Sequence, residues 1–369
     1  MNGGSGMVFL PPKPAIFGLL GHTPSGTVVG IVAGFGELVG YGLRLVSGYI
    51  SDRTGGYWRI TLFGYVVNML SVPLLALTGR WETAALLIIL ERVGKAIRNP
   101  PRDAMLSHAT GEIGHGWGFG IHEALDQIGA VIGPLIITSV LYFNGSYQRG
   151  FAVLLAPALL ALSVLLVARR LYPRPRDLEK IAPNLETEGF SRRYWLYLGA
   201  AALIAAGYVD FPLIAYHFEK SSLAPTASWI PIFYALAMGT DALAALIFGH
   251  LFDRIGLPLL IIISFVCAFF PPLVFLGGFY FALLGMALWG VGMGAQESIM
   301  RAVIAGMIPA QRRAAAYGIF NAGFGLFWFL GSAFMGVLYD ISIPFLTLFS
   351  VLTQLGSIPL LLLIKKERK

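Results

Sequence analysis

Apolar residues in this chain come in long blocks that do not alternate with polar ones. Such blocks occupy about 26–50, 60–79, 83–101, 117–142, 150–168, 194–217, 226–251, 257–277, 278–300, 314–339 and 343–364. Each is close to the ~20 residues that a helix needs to cross the hydrocarbon of a bilayer. Runs such as Leu259-Leu260-Ile261-Ile262-Ile263 are continuous, whereas the strands of a membrane barrel alternate between lipid and lumen. The pattern predicts an all-α polytopic membrane protein with about eleven full transmembrane helices.

Composition sharpens this reading. The 369 residues are 57% hydrophobic and 12% charged, against roughly 25% charged in a soluble domain. The 45 Gly and 21 Pro are tolerable in membrane helices, where neighbours re-satisfy the backbone. The single cysteine, Cys267, lies in an apolar run. It forms no internal disulfide and has no CxxC partner, so neither a metal site nor a redox centre is expected.

The net charge of +7 is topological. With the inter-span loops assigned alternately to two sides, one side collects twenty basic residues, including Arg53, Arg59, Arg102, Arg169, Arg254 and Arg313. The other side collects Arg80, Arg149 and Lys220. Basic loops stay in the cytoplasm, so the C-terminus and the central loop are expected inside a cell membrane. Nucleic acid is not an expected partner; the lipid bilayer is.

The chain also repeats itself. Gly48-Tyr-Ile-Ser-Asp52-Arg53-Thr-Gly55 recurs as Gly249-His-Leu-Phe-Asp253-Arg254-Ile-Gly256. Gly118-Phe-Gly120-Ile121 is echoed by Ala316-Tyr-Gly318-Ile319, Gly133 by Gly331, and Arg102 by Arg301. Two similar halves imply a transporter-like architecture with a site between them. The expected organisation is an atypical N-terminus over 1–25, a bundle over 26–169, a polar linker over 170–193 and a second bundle over 194–369. The repeat would place a first helix before residue 16, so residues 1–25 are read as its truncated or replaced remnant.

The duplicated GxxxDRxG resembles the signature loop of the major facilitator superfamily. The resemblance covers nearly the whole chain and implies two pseudo-symmetric six-helix bundles. It also implies that Gly48, Asp52, Arg53, Gly55, Gly249, Asp253, Arg254 and Gly256 form a conformational latch. Asp52 and Asp253 are expected to accept bonds from another helix's N-terminus, and Arg53 and Arg254 to pair across the halves. One departure is that Gly56, Tyr57 and Trp58 stand where basic residues usually follow. Gly129, Gly133 and Pro134 resemble the antiporter element of drug–proton exporters in this superfamily, although Ile136 and Ile137 replace two of its glycines.

Ionisable residues inside the spans are the candidates for chemistry, because such groups are costly in lipid and face partners or wet cavities. They are Glu37, Arg92, Lys95, Glu123, Asp126 and Asp210, with Asp241 and Glu297 as further acids. Arg92 belongs to a segment resembling the superfamily's proton-transfer helix. Glu123 and Asp126 are expected to pair with Arg92 or Lys95, Glu37 with Arg44, and Glu297 with Arg301 at i,i+4. Asp210 is read as the middle of a span softened by Pro212. Trp289, Phe320, Phe324, Phe327, Trp328 and Phe329 either line an apolar cavity or pack.

There is no P-loop, no dinucleotide fingerprint after a strand and no nucleophile elbow. An enzyme is not expected, and neither is a cofactor or a metal. The expected function is secondary active transport of a small-molecule substrate, coupled to protons and directed outward, by a monomer. The alternatives are a uniporter or an anion symporter using Arg92 and Lys95, or a non-transporting scaffold or truncated remnant.

Overall fold

A computed structural model describes residues 40, 42–78, 81–143, 147–175, 190–221 and 229–366. Glu37, the expected N-terminal remnant over 1–25 and most of the linker lie outside them. The described residues are helices joined by turns, with no strand among them. In chain order the helices are α1 (42–54), α2 (Tyr57–Leu74), α3 (Trp81–Ala109), α4 (His115–Tyr142), α5 (Tyr147–Val153) and α6 (Leu155–Leu171). The second half continues with α7 (Arg192–Gly207), α8 (Phe211–Lys220), α9 (Trp229–Ile255), α10 (Leu257–Cys267), α11 (Phe270–Phe275), α12 (Phe279–Met307), α13 (Arg313–Ile341) and α14 (Ile343–Lys366).

Among the described residues, eight spans are long and apolar enough to cross a membrane. α3 is long enough too. Its 29 residues extend over about 40 Å at 1.5 Å per residue. Its charges from Glu91 to Asp103 give it a polar face, and that face points into the protein: Lys95, Arg98, Arg102 and Asp103 are all buried. Outward positions such as Leu160, Val164, Leu243, Ile247 and Ile262 are exposed and apolar. This inside-out polarity is what lipid requires.

The motif glycines end two helices. Gly55 and Gly256 adopt φ of 65° and 73°, a left-handed conformation that only glycine enters without strain. Their N–H groups bond back to Ser51 and Phe252 carbonyls at 2.9 and 2.7 Å. The chain reverses there, and α2 and α10 follow at once.

The span expected at 194–217 is not one helix. It breaks between α7 and α8, and Asp210 is the N-cap residue of α8, not a mid-helix acid. Pro212 explains the break: proline fits the first turn of a helix but removes an interior bond. The carbonyls freed at the break find partners on neighbouring helices. Gln354 Nε2 donates to the Gly207 carbonyl at 3.2 Å, and Trp289 Nε1 donates to the Val209 carbonyl at 2.9 Å.

Candidate functional site

The two halves meet through a pair of crossings that mirror one another. α1 crosses α13, and α9 crosses α4. A Cβ added at Gly48 would lie 2.3 Å from the Ala314 carbonyl oxygen, and one at Gly249 would lie 2.4 Å from that of Gly116. The reciprocal positions are as tight, at 2.8 Å from Gly318 to the Arg44 oxygen and 2.4 Å from Gly120 to the Ala245 oxygen. Glycine is what permits backbones to approach this closely.

Each crossing carries one carboxylate at a helix start. Asp52 accepts the N–H groups of Ala314 and Ala315 at 3.3 and 2.6 Å. Asp253 accepts those of Gly116 and Trp117 at 2.8 and 2.7 Å. The first N–H groups of a helix have no partner within it, and the helix dipole adds attraction for an anion. The acids therefore tie α13 and α4 to the opposite half. Tyr57, standing where a basic residue was expected, donates its hydroxyl to Asp52 Oδ1 at 2.5 Å.

The arginines of the motif behave differently from expectation. Arg53 is exposed and donates to Tyr49 of its own helix at 3.4 Å, and Arg254 is exposed. An exposed guanidinium gains little from an ion pair in water, so neither is drawn across the interface. Arg313, assigned by its position to a basic loop, is instead fully buried. It donates to the Ile308 carbonyl at 3.1 Å and to Ser107 Oγ of the other half at 3.4 Å.

Deeper in the bundle, α3, α4, α9 and α12 converge on a buried polar cluster. Arg102 donates to Asp103 at 2.7 and 3.0 Å. Its repeat-mate Arg301, from the other half, stands 3.7 Å from Asp103 and 3.6 Å from Glu123. Gln127 donates to Glu123 at 2.8 Å and to Asp241 at 3.0 Å, which joins α4 to α9. Glu123, Asp241, Glu297, Asp103 and Arg301 are all nearly inaccessible.

The expected pairing of Glu123 with Arg92 or Lys95 is thus corrected: its cation is Arg301. Asp126 does lie within electrostatic reach of Lys95, Arg98, Arg102 and His122. Arg92 is half-buried and has no hydrogen-bond or ion-pair partner among the described residues. Its neighbour Glu91 accepts from Asn68 Nδ2 at 2.9 Å. Arg44 donates to Asn321 at 3.5 Å. Gly129 and Gly133 have nothing within 4 Å of an added Cβ, so no described helix approaches them closely.

Asp210 is half-buried and accepts from Trp328 Nε1 and Ser332 Oγ of α13. The aromatic residues around it pack against one another with tilted rings. Tyr208 lies 5.8 Å from Trp289 and 5.7 Å from Trp328, ring centre to ring centre, and the row continues through Phe324 and Phe320. Trp289, Trp328, Phe324 and Phe320 are buried and pack, whereas Phe327 faces outward.

The family model for the Major Facilitator Superfamily matches residues 1–221 and again 196–369. An uncharacterized protein of Mycobacterium tuberculosis is 38% identical over 93% of this chain and 86% of its own length. An uncharacterized MFS-type transporter of Methanocaldococcus jannaschii is 28% identical over the same shares. The crystal structure of the human organic anion transporter MFSD10 aligns with a TM-score of 0.67, at 13% identity, over 98% of this chain and 86% of that one. At that identity the likeness is one of fold.

Proposed function

The chain belongs to the major facilitator superfamily, and on that premise we propose that it moves a small solute across the membrane by alternating access, coupled to protons. The observation that carries the proposal is the charged cluster of Glu123, Asp241 and Arg301. It is contributed by both halves and buried where they meet. Ionisable groups held in a membrane interior are expensive and mark ion or substrate pathways. When they lie on the contact between two rocking bundles, their partners change with the conformation.

In this reading the mirrored crossings of Gly48 with Ala314 and Gly249 with Gly116 are the closed gate. The Asp52 and Asp253 bonds hold it shut. Glu123, Asp126 and Asp241 serve coupling, and Asp210 and Arg92 serve polar recognition. The gate is at the cytoplasmic end by the positive-inside bias of its loops. The C-terminus and linker are then cytoplasmic, and the protein acts as a monomer in the cell membrane. The Gly129-Gly133 element favours export over uptake. The test is solute flux in proteoliposomes under an imposed pH gradient. Flux that follows the gradient supports the reading, and flux indifferent to it removes the coupling.

A second reading, a uniporter or anion symporter, is favoured by Arg92, which no described residue neutralises. It predicts flux that Arg92→Gln abolishes and that persists without a pH gradient.

A further inference from the structure

His108 sits in the last turn of α3 and is fully buried, and so is Arg313, which begins α13 of the other half. Nδ1 of the imidazole and a terminal guanidinium nitrogen are 3.5 Å apart. The same guanidinium nitrogen donates to Ser107 Oγ at 3.4 Å, and Ser107 turns its own hydrogen to the Ala104 carbonyl at 2.7 Å. A guanidinium has donors and no acceptor, so the imidazole nitrogen that faces it is the bare, accepting one. An imidazolium has no such nitrogen. Protonation would remove the acceptor and set two cations side by side out of reach of water, which is strongly disfavoured. The closed contact therefore requires a neutral His108.

His108 also meets the crossing of α1 with α13. The Tyr57 ring lies edge-on to it at 6.3 Å, and the Tyr57 hydroxyl donates to Asp52, the acid that holds the start of α13. The registers that pair Arg102 with Arg301 and Gly118 with Ala316 make Met307 and His115 the repeat-mates of His108 and Arg313. The mirrored crossing thus has no histidine–arginine pair at these positions. His115 Nδ1 lies 3.1 Å from Thr110 Oγ1 of its own half.

Resting on the reading of these crossings as a closed cytoplasmic gate, we propose that His108 and Arg313 form a pH switch that opens the gate when the cytoplasm turns acid. Water entering between the halves brings a proton to Nδ1. The lone pair that accepted the Arg313 hydrogen takes that proton instead, and Arg313 turns its N–H to water. The imidazolium and the guanidinium then repel, and closure waits until the proton returns to water. An imidazole in water titrates near pH 6.5, so the switch works in the range just below neutral. It regulates access to the path and is separate from the acids assigned to coupling.

Other titratable and charged groups surround the pair. On α3 they are Arg102 and Asp103; on α1, Asp52; on α2, Tyr57. α13 adds Tyr317, which lies in electrostatic range of Arg313, Arg301 and Asp103. α7 adds Tyr194, whose hydroxyl donates to the Ala316 carbonyl at 2.7 Å. The turns before α4 and α13 bring Glu112 and Arg312, both exposed. Carboxyls ordinarily titrate near pH 4 and tyrosines near pH 10. The competitors in the imidazole range are His115 at the start of α4 and His250, whose ring lies 5.5 Å from that of Trp117 at the other crossing.

The experiment measures gate opening on the full chain in lipid nanodiscs. Spin labels are placed on exposed residues of opposite halves, through Arg59→Cys and Gln311→Cys in a Cys267→Ala background. Distance distributions are recorded from about pH 5 to about pH 8, which brackets imidazole titration. The ratio of open to closed molecules is expected to rise as pH falls, by up to about tenfold per pH unit for one proton taken up on opening. His108→Gln offers Arg313 an amide oxygen that does not titrate, and it should stay closed throughout. Arg313→Gln removes the facing charge and should flatten the response as well, so either variant suffices if the other fails to fold. His115→Gln and His250→Gln should respond as the parent does. A monodisperse His108→Gln or Arg313→Gln that keeps the parental response overturns the switch, and so does a parent indifferent to pH. The Asp52→Asn, Asp253→Asn double variant then separates the two readings. If it opens, only the switch is lost; if its distances do not move, the gate reading falls too.

Discussion

Asp52 and Ala315 stand 263 positions apart in the chain, and the carboxylate of one accepts the backbone N–H of the other at 2.6 Å. The same bond is made in mirror image by Asp253 and Trp117 at 2.7 Å. A duplicated half-chain thus closes on its own copy with one repeated contact. The contact between the halves has two equivalent arms, and removal of one leaves the other.

That equivalence predicts the outcome of single and double neutralisation. Hydrogen bonds to a charged group contribute about 1.5–3 kcal/mol each, net. Asp52→Asn and Asp253→Asn should each raise the open-to-closed ratio by roughly tenfold or more, a factor that corresponds to about 1.4 kcal/mol. The double variant should exceed either. Spin-label distances across the gate measure it; one aspartate with no effect would show that the arms are unequal.

Tyr57→Phe removes a single donated bond to Asp52 and keeps the ring that meets His108 edge-on at 6.3 Å. A smaller opening is expected, worth about 1 kcal/mol. It should vanish in the Asp52→Asn background, because the bond's acceptor is then already altered. A double-mutant cycle on the same distance signal reads this coupling.

Glycine substitutions separate close packing from mere sequence resemblance. Gly249→Ala places a methyl group 2.4 Å from a backbone oxygen, which cannot move aside like a side chain. A loss of about 1–3 kcal/mol from the closed state is expected. Gly129→Ala and Gly133→Ala meet nothing within 4 Å and should leave thermal stability unchanged or slightly higher, since alanine is the better helix former by about 1 kcal/mol. Thermal unfolding in detergent ranks the three.

Arg301 of the second half stands 3.7 and 3.6 Å from two acids of the first, Asp103 and Glu123. Arg301→Gln strands Asp103 and Glu123 without it, and breaking a buried pair from one side costs about 3–5 kcal/mol. Folded yield should fall sharply and recover in part in the Arg301→Gln, Glu123→Gln double variant. Fluorescence-detected size exclusion checks both; no recovery would mean that the two side chains are not energetically coupled.

Much of this was legible in the sequence. Long apolar blocks gave the spans, because lipid forces every backbone group into helical bonds. The repeat at Gly48 and Gly249 gave the mirrored crossings, because a glycine, an acid and a left-handed glycine have fixed work at a helix end. The cluster was only half legible. Glu123, Asp126, Asp241 and Glu297 stood out as acids in apolar runs, but their partners are decided by packing. Neighbourhood along the chain suggested Arg92 or Lys95 for Glu123, while the bundle brings Arg301 from the other half. Asp210 was misplaced because a proline in the first turn of a helix and a proline softening a longer helix look alike until the chain around them is seen. Arg313 was hidden because topology counts basic residues by loop and does not register which of them turn inward.

The central claim is that protons and solute move through one interface that opens at alternate ends. Its most direct test is transport in proteoliposomes with a trapped pH dye, followed before and after a protonophore collapses the gradient. Solute movement accompanied by counter-movement of protons, halted by the protonophore and absent from Glu123→Gln, is the predicted result. Solute movement that continues unchanged after the gradient is gone, with the dye silent throughout, would contradict it.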